Sequence, residues 1–190
     1  RLQEPQYALP MVGRSAEQLL IQEKMAAVRE GMGQVITISG EAGIGKSRLV
    51  AQIIRLAGEQ EFLGFGGECQ SYGTNTSYLV WQRVWQDFFA LTSEMTVDEQ
   101  IDHIGKQLEG INPALLPRLP LLGAVLRLTM PDNELTQTFD AQLRKVSLES
   151  LLVECLRARA METAVFIVLE DCHWLDPPSF DLLEAIARAI

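Results

Sequence analysis

Short apolar runs alternate along the chain with longer stretches in which apolar residues return every three or four positions. That is the pattern of strands set between amphipathic helices. Leu19, Leu20, Met25, Ala26 and Val28 predict a helix over about residues 16–30, with Ser15 and Gln18 as its capping box. Gln34-Val35-Ile36-Thr37-Ile38-Ser39 is β-branched and reads as a buried strand ending at Gly40. A helix follows from Lys46 to about Glu59, then a second strand from Phe62 to Cys69, weakened by Gly64, Gly66 and Gly67. Tyr72 to Ser77 is a polar loop. Tyr78 to Leu91 is an aromatic helix, with Leu79, Trp81, Val84, Trp85, Phe88 and Phe89 at a period of 3.6.

Thr96 with Glu99 forms a capping box for a helix to about Leu108. Pro113, Pro117 and Pro120 restrict Asn112 to Met130 to short broken helices. Phe139 to about Met161 is one long amphipathic helix, with Leu143, Val146, Leu148, Leu151, Leu152, Cys155 and Leu156 as its apolar positions. Ala164 to Leu169 is a third strand, apolar throughout, as strands are when both sheet faces are covered. Asp176 and Pro177 suit the N-cap and first position of a last helix. The alternation predicts an α/β parallel sheet. Residues 1–10 are an irregular lead-in, and 11–190 read as the N-terminal part of one domain.

The net charge of −9 excludes a broad basic face for nucleic acid and leaves room only for a local phosphate pocket. Cys69, Cys155 and Cys172 form neither zinc spacing nor a disulfide framework, and read as reduced thiols of a cytoplasmic protein. There is no signal-peptide core at the N-terminus. No apolar run approaches the roughly 18 residues of a membrane span. Trp81, Trp85, Phe88 and Phe89 read as helix core rather than a base-stacking platform, because only Arg83 is interleaved with them.

Gly40-Glu41-Ala42-Gly43-Ile44-Gly45-Lys46-Ser47 fits G-x-x-x-x-G-K-[ST] at every defined position. Glycines permit positive φ, so successive amides can turn toward phosphate oxygens. The helix that starts at Lys46 adds its positive dipole end. Lys46 reaches the β- and γ-phosphates, and the Ser47 hydroxyl ligates Mg²⁺. The expected partner is an apolar strand ending in acid, and Val165-Phe166-Ile167-Val168-Leu169-Glu170-Asp171 supplies it. By position Glu170 is the metal-side carboxylate, directly or through water, and Asp171 orients the attacking water. The shorter Asp171 predicts slow turnover. Lys46, Glu170 and Asp171 are thus the candidate catalytic groups.

Val12-Gly13-Arg14, GEAGIGKSRL (residues 40–49) and VLEDCHWLDPPS (residues 168–179) together resemble the AAA+-related STAND-type signalling ATPases. These modules occur in bacterial cyclase-like tetratricopeptide proteins and large LuxR-type regulators; residues 67–75 resemble the cyclase-associated group more closely. The resemblance covers about residues 10–190. It implies a three-layer P-loop NTPase fold, ATP/ADP and Mg²⁺ as ligands, and Val12, Gly13 and Arg14 beside the adenine and ribose. The nucleotide set is then Val12, Gly13, Arg14, Gly40, Glu41, Ala42, Gly43, Ile44, Gly45, Lys46, Ser47 and Arg48, with Ser47 and Glu170 on the metal side. Glu170 stands where the family has Asp, which favours coordination through water. Trp174 is expected to pack against the loop, with a γ-phosphate-sensing role for His173 as the lesser alternative. Arg48 and Arg144 are most simply solvated helix charges.

In that fold a fourth strand lies between the phosphate-loop strand and the acidic strand. The chain stops at Ile190 before it. The expectation is a segment of a longer protein, its sheet incomplete at the C-terminus, poorly stable and catalytically weak alone. The function implied is a regulatory ATPase switch. It would couple to other domains of the same chain (cyclase-like, helix-turn-helix or tetratricopeptide) and could oligomerise with nucleotide. A non-hydrolysing nucleotide-binding scaffold and a small-molecule P-loop kinase are the alternatives; no Arg-rich lid favours the kinase. No N-K-x-D motif reads a guanine base, which favours ATP.

Overall fold

The computed structural model describes residues 13–71 and 76–190. The lead-in, Val12 and most of the loop from Tyr72 lie outside the described residues. The elements run α1 (Ser15–Arg29), α2 (Lys46–Glu59), β1 (Leu63–Glu68), α3 (Leu79–Phe88) and α4 (Val97–Ile111). A 3₁₀ stretch (Pro113–Leu122), α5 (Gly123–Leu126), α6 (Ala141–Glu162), β2 (Val165–Glu170) and α7 (Pro177–Ala189) complete the order. Two shorter 3₁₀ turns cover Thr136–Thr138 and Cys172–Trp174.

β1 and β2 pair in parallel, from Leu63 opposite Val165 to Glu68 opposite Glu170. Side chains alternate across a strand, and the two cores follow that alternation. Val165, Ile167 and Leu169 pack on the larger core with Phe65, Trp81, Trp85, Leu151, Leu152 and Leu182. Phe166 turns to a smaller core made by Ile21 and Met25 of α1 and Leu49, Ile53 and Leu56 of α2. Gly67 lets β1 run close under α3: a Cβ built there would lie 2.3 Å from the Val80 carbonyl oxygen.

The strand expected over residues 34–39 is absent among the described residues. Residues 33–41 carry no regular structure, and Val35 and Ile36 are exposed. β-branched residues favour a strand only where a neighbour completes the ladder; here β2 pairs with β1 alone among the described strands. Ile38 still packs on the smaller core and holds the segment to it.

The first capping box also differs. Arg14 is the N-cap of α1, without a side-chain cap, and Ser15 is already helical. Arg14 instead pairs with Glu17 at 2.6 Å. The box of Thr96 and Glu99 forms with both reciprocal bonds, and Asp176 caps α7 as expected. Leu143 and Val146 are exposed, because the first turns of α6 overhang the core that buries Leu148 to Leu156.

Arg144 is not a free solvated charge. It bonds Asp132 at 2.7 Å and donates to the Thr136 carbonyl at 2.8 Å, tying the loop before α6 to the helix.

Candidate nucleotide-binding site

The turn between residues 40 and 45 is made by its glycines. Gly40, Gly43 and Gly45 have φ of 155°, 80° and 95°, and the latter two are left-handed values that cost an L residue about 1–2 kcal/mol. Gly45 is the N-cap of α2, and Lys46, Ser47 and Arg48 form its first turn. The first amides of a helix have no partner inside it. Leu49, Ile53 and Leu56 bury the other face of α2, so the loop is carried on a firmly packed helix. A Cβ at Gly43 or Gly45 would meet nothing within 4 Å: the space over the loop is open.

The Lys46 ammonium folds back over this turn and donates to the Gly40 and Glu41 carbonyls, each at 2.8 Å. Arg14 donates to the Ile44 carbonyl at 2.9 Å. The segment Gly13-Arg14, distant in sequence, therefore lies against the loop. Ser47 is exposed and Arg48 half-buried. The loop carbonyls draw cations and the helix start draws anions, so the residues present fit the phosphates of a nucleotide.

At the carboxyl end of the strands stand three acids. Glu170 ends β2 and lies in register with Glu68 at the end of β1. Burial, then the charges of Glu68 and Asp171, push the Glu170 carboxyl above the usual carboxylate range. A cation there would reverse that push, which is the chemistry of a Mg²⁺ neighbour. Among the described residues no group of three or more His, Cys, Asp or Glu could hold a metal by itself. Ser47 stands in the first turn of α2 and Glu170 at the end of β2.

Glu68 was not among the sequence candidates. Its only sequence signal is its place at the end of a predicted strand, since pairing to Glu170 is set by register.

Asp171 breaks the strand with a left-handed backbone, φ 54° and ψ 39°, a conformation Asp tolerates better than most residues. The chain then turns through Cys172–Trp174 into α7. Trp174 is 41% exposed and lies over the His173 ring, centroids 5.0 Å apart. It also borders a small hollow with Cys69, Leu79 and Val80. Asp176, buried, accepts from the Ser179 amide at 3.0 Å, the Ser179 hydroxyl at 2.6 Å and the Tyr78 amide at 3.2 Å. One carboxylate thus fixes both the start of α7 and the entrance to α3.

A protein described as uncharacterized, from Rhizobium meliloti (strain 1021), is 28% identical over 185 residues, 95% of this chain. The chain spans 17% of that relative's length. No solved structure matches significantly. The model of the AAA ATPase domain family matches residues 10–190, and the chain belongs to that family.

Proposed function

We propose that this domain binds Mg-ATP on the loop from Gly40 to Ser47 and hydrolyses it slowly, serving as a regulatory switch for other domains of a longer cytoplasmic protein. The observation that carries the reading is the left-handed turn of Gly43 and Gly45 at the start of α2, with Lys46 folded over it. Lys46 exchanges its two carbonyl partners for β- and γ-phosphate oxygens. The amides of the turn and of the first helical residues hold the phosphates in place. Ser47 and Glu170 would hold the metal, Glu170 directly or through water. Mg²⁺ would screen the phosphate charge and draw electrons from the bond to be cleaved. Asp171, exposed at the turn after β2, orients the attacking water.

Arg14 supports the nucleotide reading from a second direction, because it joins the segment before α1 to the loop. The coupling to other domains is supported by the small share of the relative that the chain represents and by the turn from Asp171 to Asp176. That turn links the acids to α3 and α7. Asp171 in the water-side position, one carbon shorter than Glu, supports slow turnover.

Lys46→Ala tests the site. Losing two charge-assisted hydrogen bonds should weaken Mg-ATP binding by about 3 kcal/mol, roughly a hundredfold, in isothermal titration. Equal affinity in the variant and the parent would exclude this loop as the phosphate site. Single-turnover hydrolysis separates switch from scaffold: a parent that binds ATP and never cleaves it is a scaffold.

A further inference from the structure

We propose that Cys69 and Cys172 form a reversible disulfide that locks the turn following β2. Cys69 directly follows β1, and its amide donates to the Glu170 carbonyl at 3.0 Å, carrying the ladder one step past the strands. The position opposite it is Asp171, and Cys172 comes next. The left-handed backbone of Asp171 folds Cys172 back over the strand end, where its thiol donates to the Leu169 carbonyl at 3.4 Å. The Cys172 thiol is near enough to help push that of Cys69 up. Neighbouring strands stand about 4.8 Å apart, the spacing of Cys69 from Asp171 opposite it, and Cys172 lies one residue further along the turn that folds back over the strand end; a disulfide spans roughly 4.4–6.8 Å between Cα atoms.

The two sulfurs differ in access. Cys172 is exposed and Cys69 is buried, while Cys155 is fully buried in α6. Cys172 is therefore the attacking thiol and Cys69 the resolving one. A low-molecular-weight disulfide such as oxidised glutathione is the oxidant. Cys172 sulfur, its proton lost to water, attacks one glutathione sulfur; the S–S bond breaks and one glutathione thiol leaves. Cys69, likewise losing its proton, attacks the Cys172 sulfur of the mixed disulfide and releases the second glutathione thiol. One disulfide is reduced to two thiols, and two protein thiols become one disulfide.

Burial, then the neighbouring Cys172, Asp171 and Asp176, push the Cys69 thiol up to about 12. In a pool dominated by reduced glutathione the pair rests reduced. Oxidation would pin the residue next to Asp171. That consequence rests on the nucleotide reading above; the bond itself does not.

The folded chain is held at rising ratios of oxidised to reduced glutathione, quenched in acid, alkylated, digested and mapped by mass spectrometry. The expected product joins the Cys69 and Cys172 peptides, is reversed by dithiothreitol, and leaves Cys155 alkylated only after unfolding. Cys69→Ala should instead accumulate a stable glutathione adduct on Cys172. A parent chain that keeps that adduct unresolved, keeps all three thiols alkylatable, or cross-links through Cys155 overturns the proposal. On the oxidised chain, affinity for a fluorescent ATP analogue should fall about tenfold. Unchanged affinity overturns the coupling. No affinity even in the reduced chain counts against the nucleotide site and leaves the cross-link result standing.

Discussion

Asp176→Ala should destabilise the fold by about 3 kcal/mol, the sum of three losses. The cap on the Ser179 amide contributes about 1 kcal/mol. The Tyr78 amide, buried at the entrance to α3, loses its acceptor, and an orphaned buried donor costs about 1–3 kcal/mol. The Ser179 hydroxyl, also buried, loses the shortest of the three bonds. Asp176→Asn keeps an oxygen toward both amides and caps nearly as well, so it should cost about 1 kcal/mol or less. Urea denaturation reads both: the midpoint should move at constant slope, and hydrogen exchange at the Tyr78 amide should quicken in the alanine variant. A shift below about 1 kcal/mol for alanine would refute the reasoning. So would an asparagine variant as weak as the alanine one, since then the charge and not the oxygen positions would matter.

Gly67→Ala should lower the melting temperature with a loss of about 2–3 kcal/mol, because the new Cβ meets the Val80 carbonyl at 2.3 Å and β1 must move off α3; an unchanged melt would contradict that close approach. Burial first, then Glu149, Asp176 and Asp181, raise the Tyr78 hydroxyl from 10.0 to about 12. The folded state then holds this proton more tightly than the unfolded chain. Stability should fall as pH rises from about 10 to about 12 and level off above, and Tyr78→Phe should flatten that part of a pH–stability curve. Glu170→Gln removes a charge crowded by Glu68 and Asp171, so it should raise nucleotide-free stability at neutral pH and weaken the Mg²⁺ dependence of ATP binding, both measurable by thermal shift.

The elements most legible in the sequence were those that local chemistry decides. Glycines forced the phosphate turn, and α2 begins at Lys46 as expected. Thr96 with Glu99, and Asp176 before Pro177, are caps whose partners lie within four residues. What could not be read depends on distant neighbours. Residues 34–39 have strand composition, but a strand needs a ladder partner and composition does not supply one. Ser15 gave way to Arg14 because Arg14 bonds Glu17 and the Ile44 carbonyl, thirty residues away. Arg144 looked solvated because Asp132 and Thr136 reach it only through the loop's path. Glu68 joins the acids through sheet register alone.

The phosphate turn is clamped on one side only. Its C-terminal side is α2, packed by Leu49 and Ile53; its N-terminal side is a run of backbone held at Ile38. A ligand that needs the turn in one shape gains from a run already held in the matching one. On the proposed reading, a chain segment that hydrogen-bonds along residues 34–39 would fix that run and tighten ATP binding without touching ATP. Reciprocity then requires ATP to tighten the grip of that segment by the same factor.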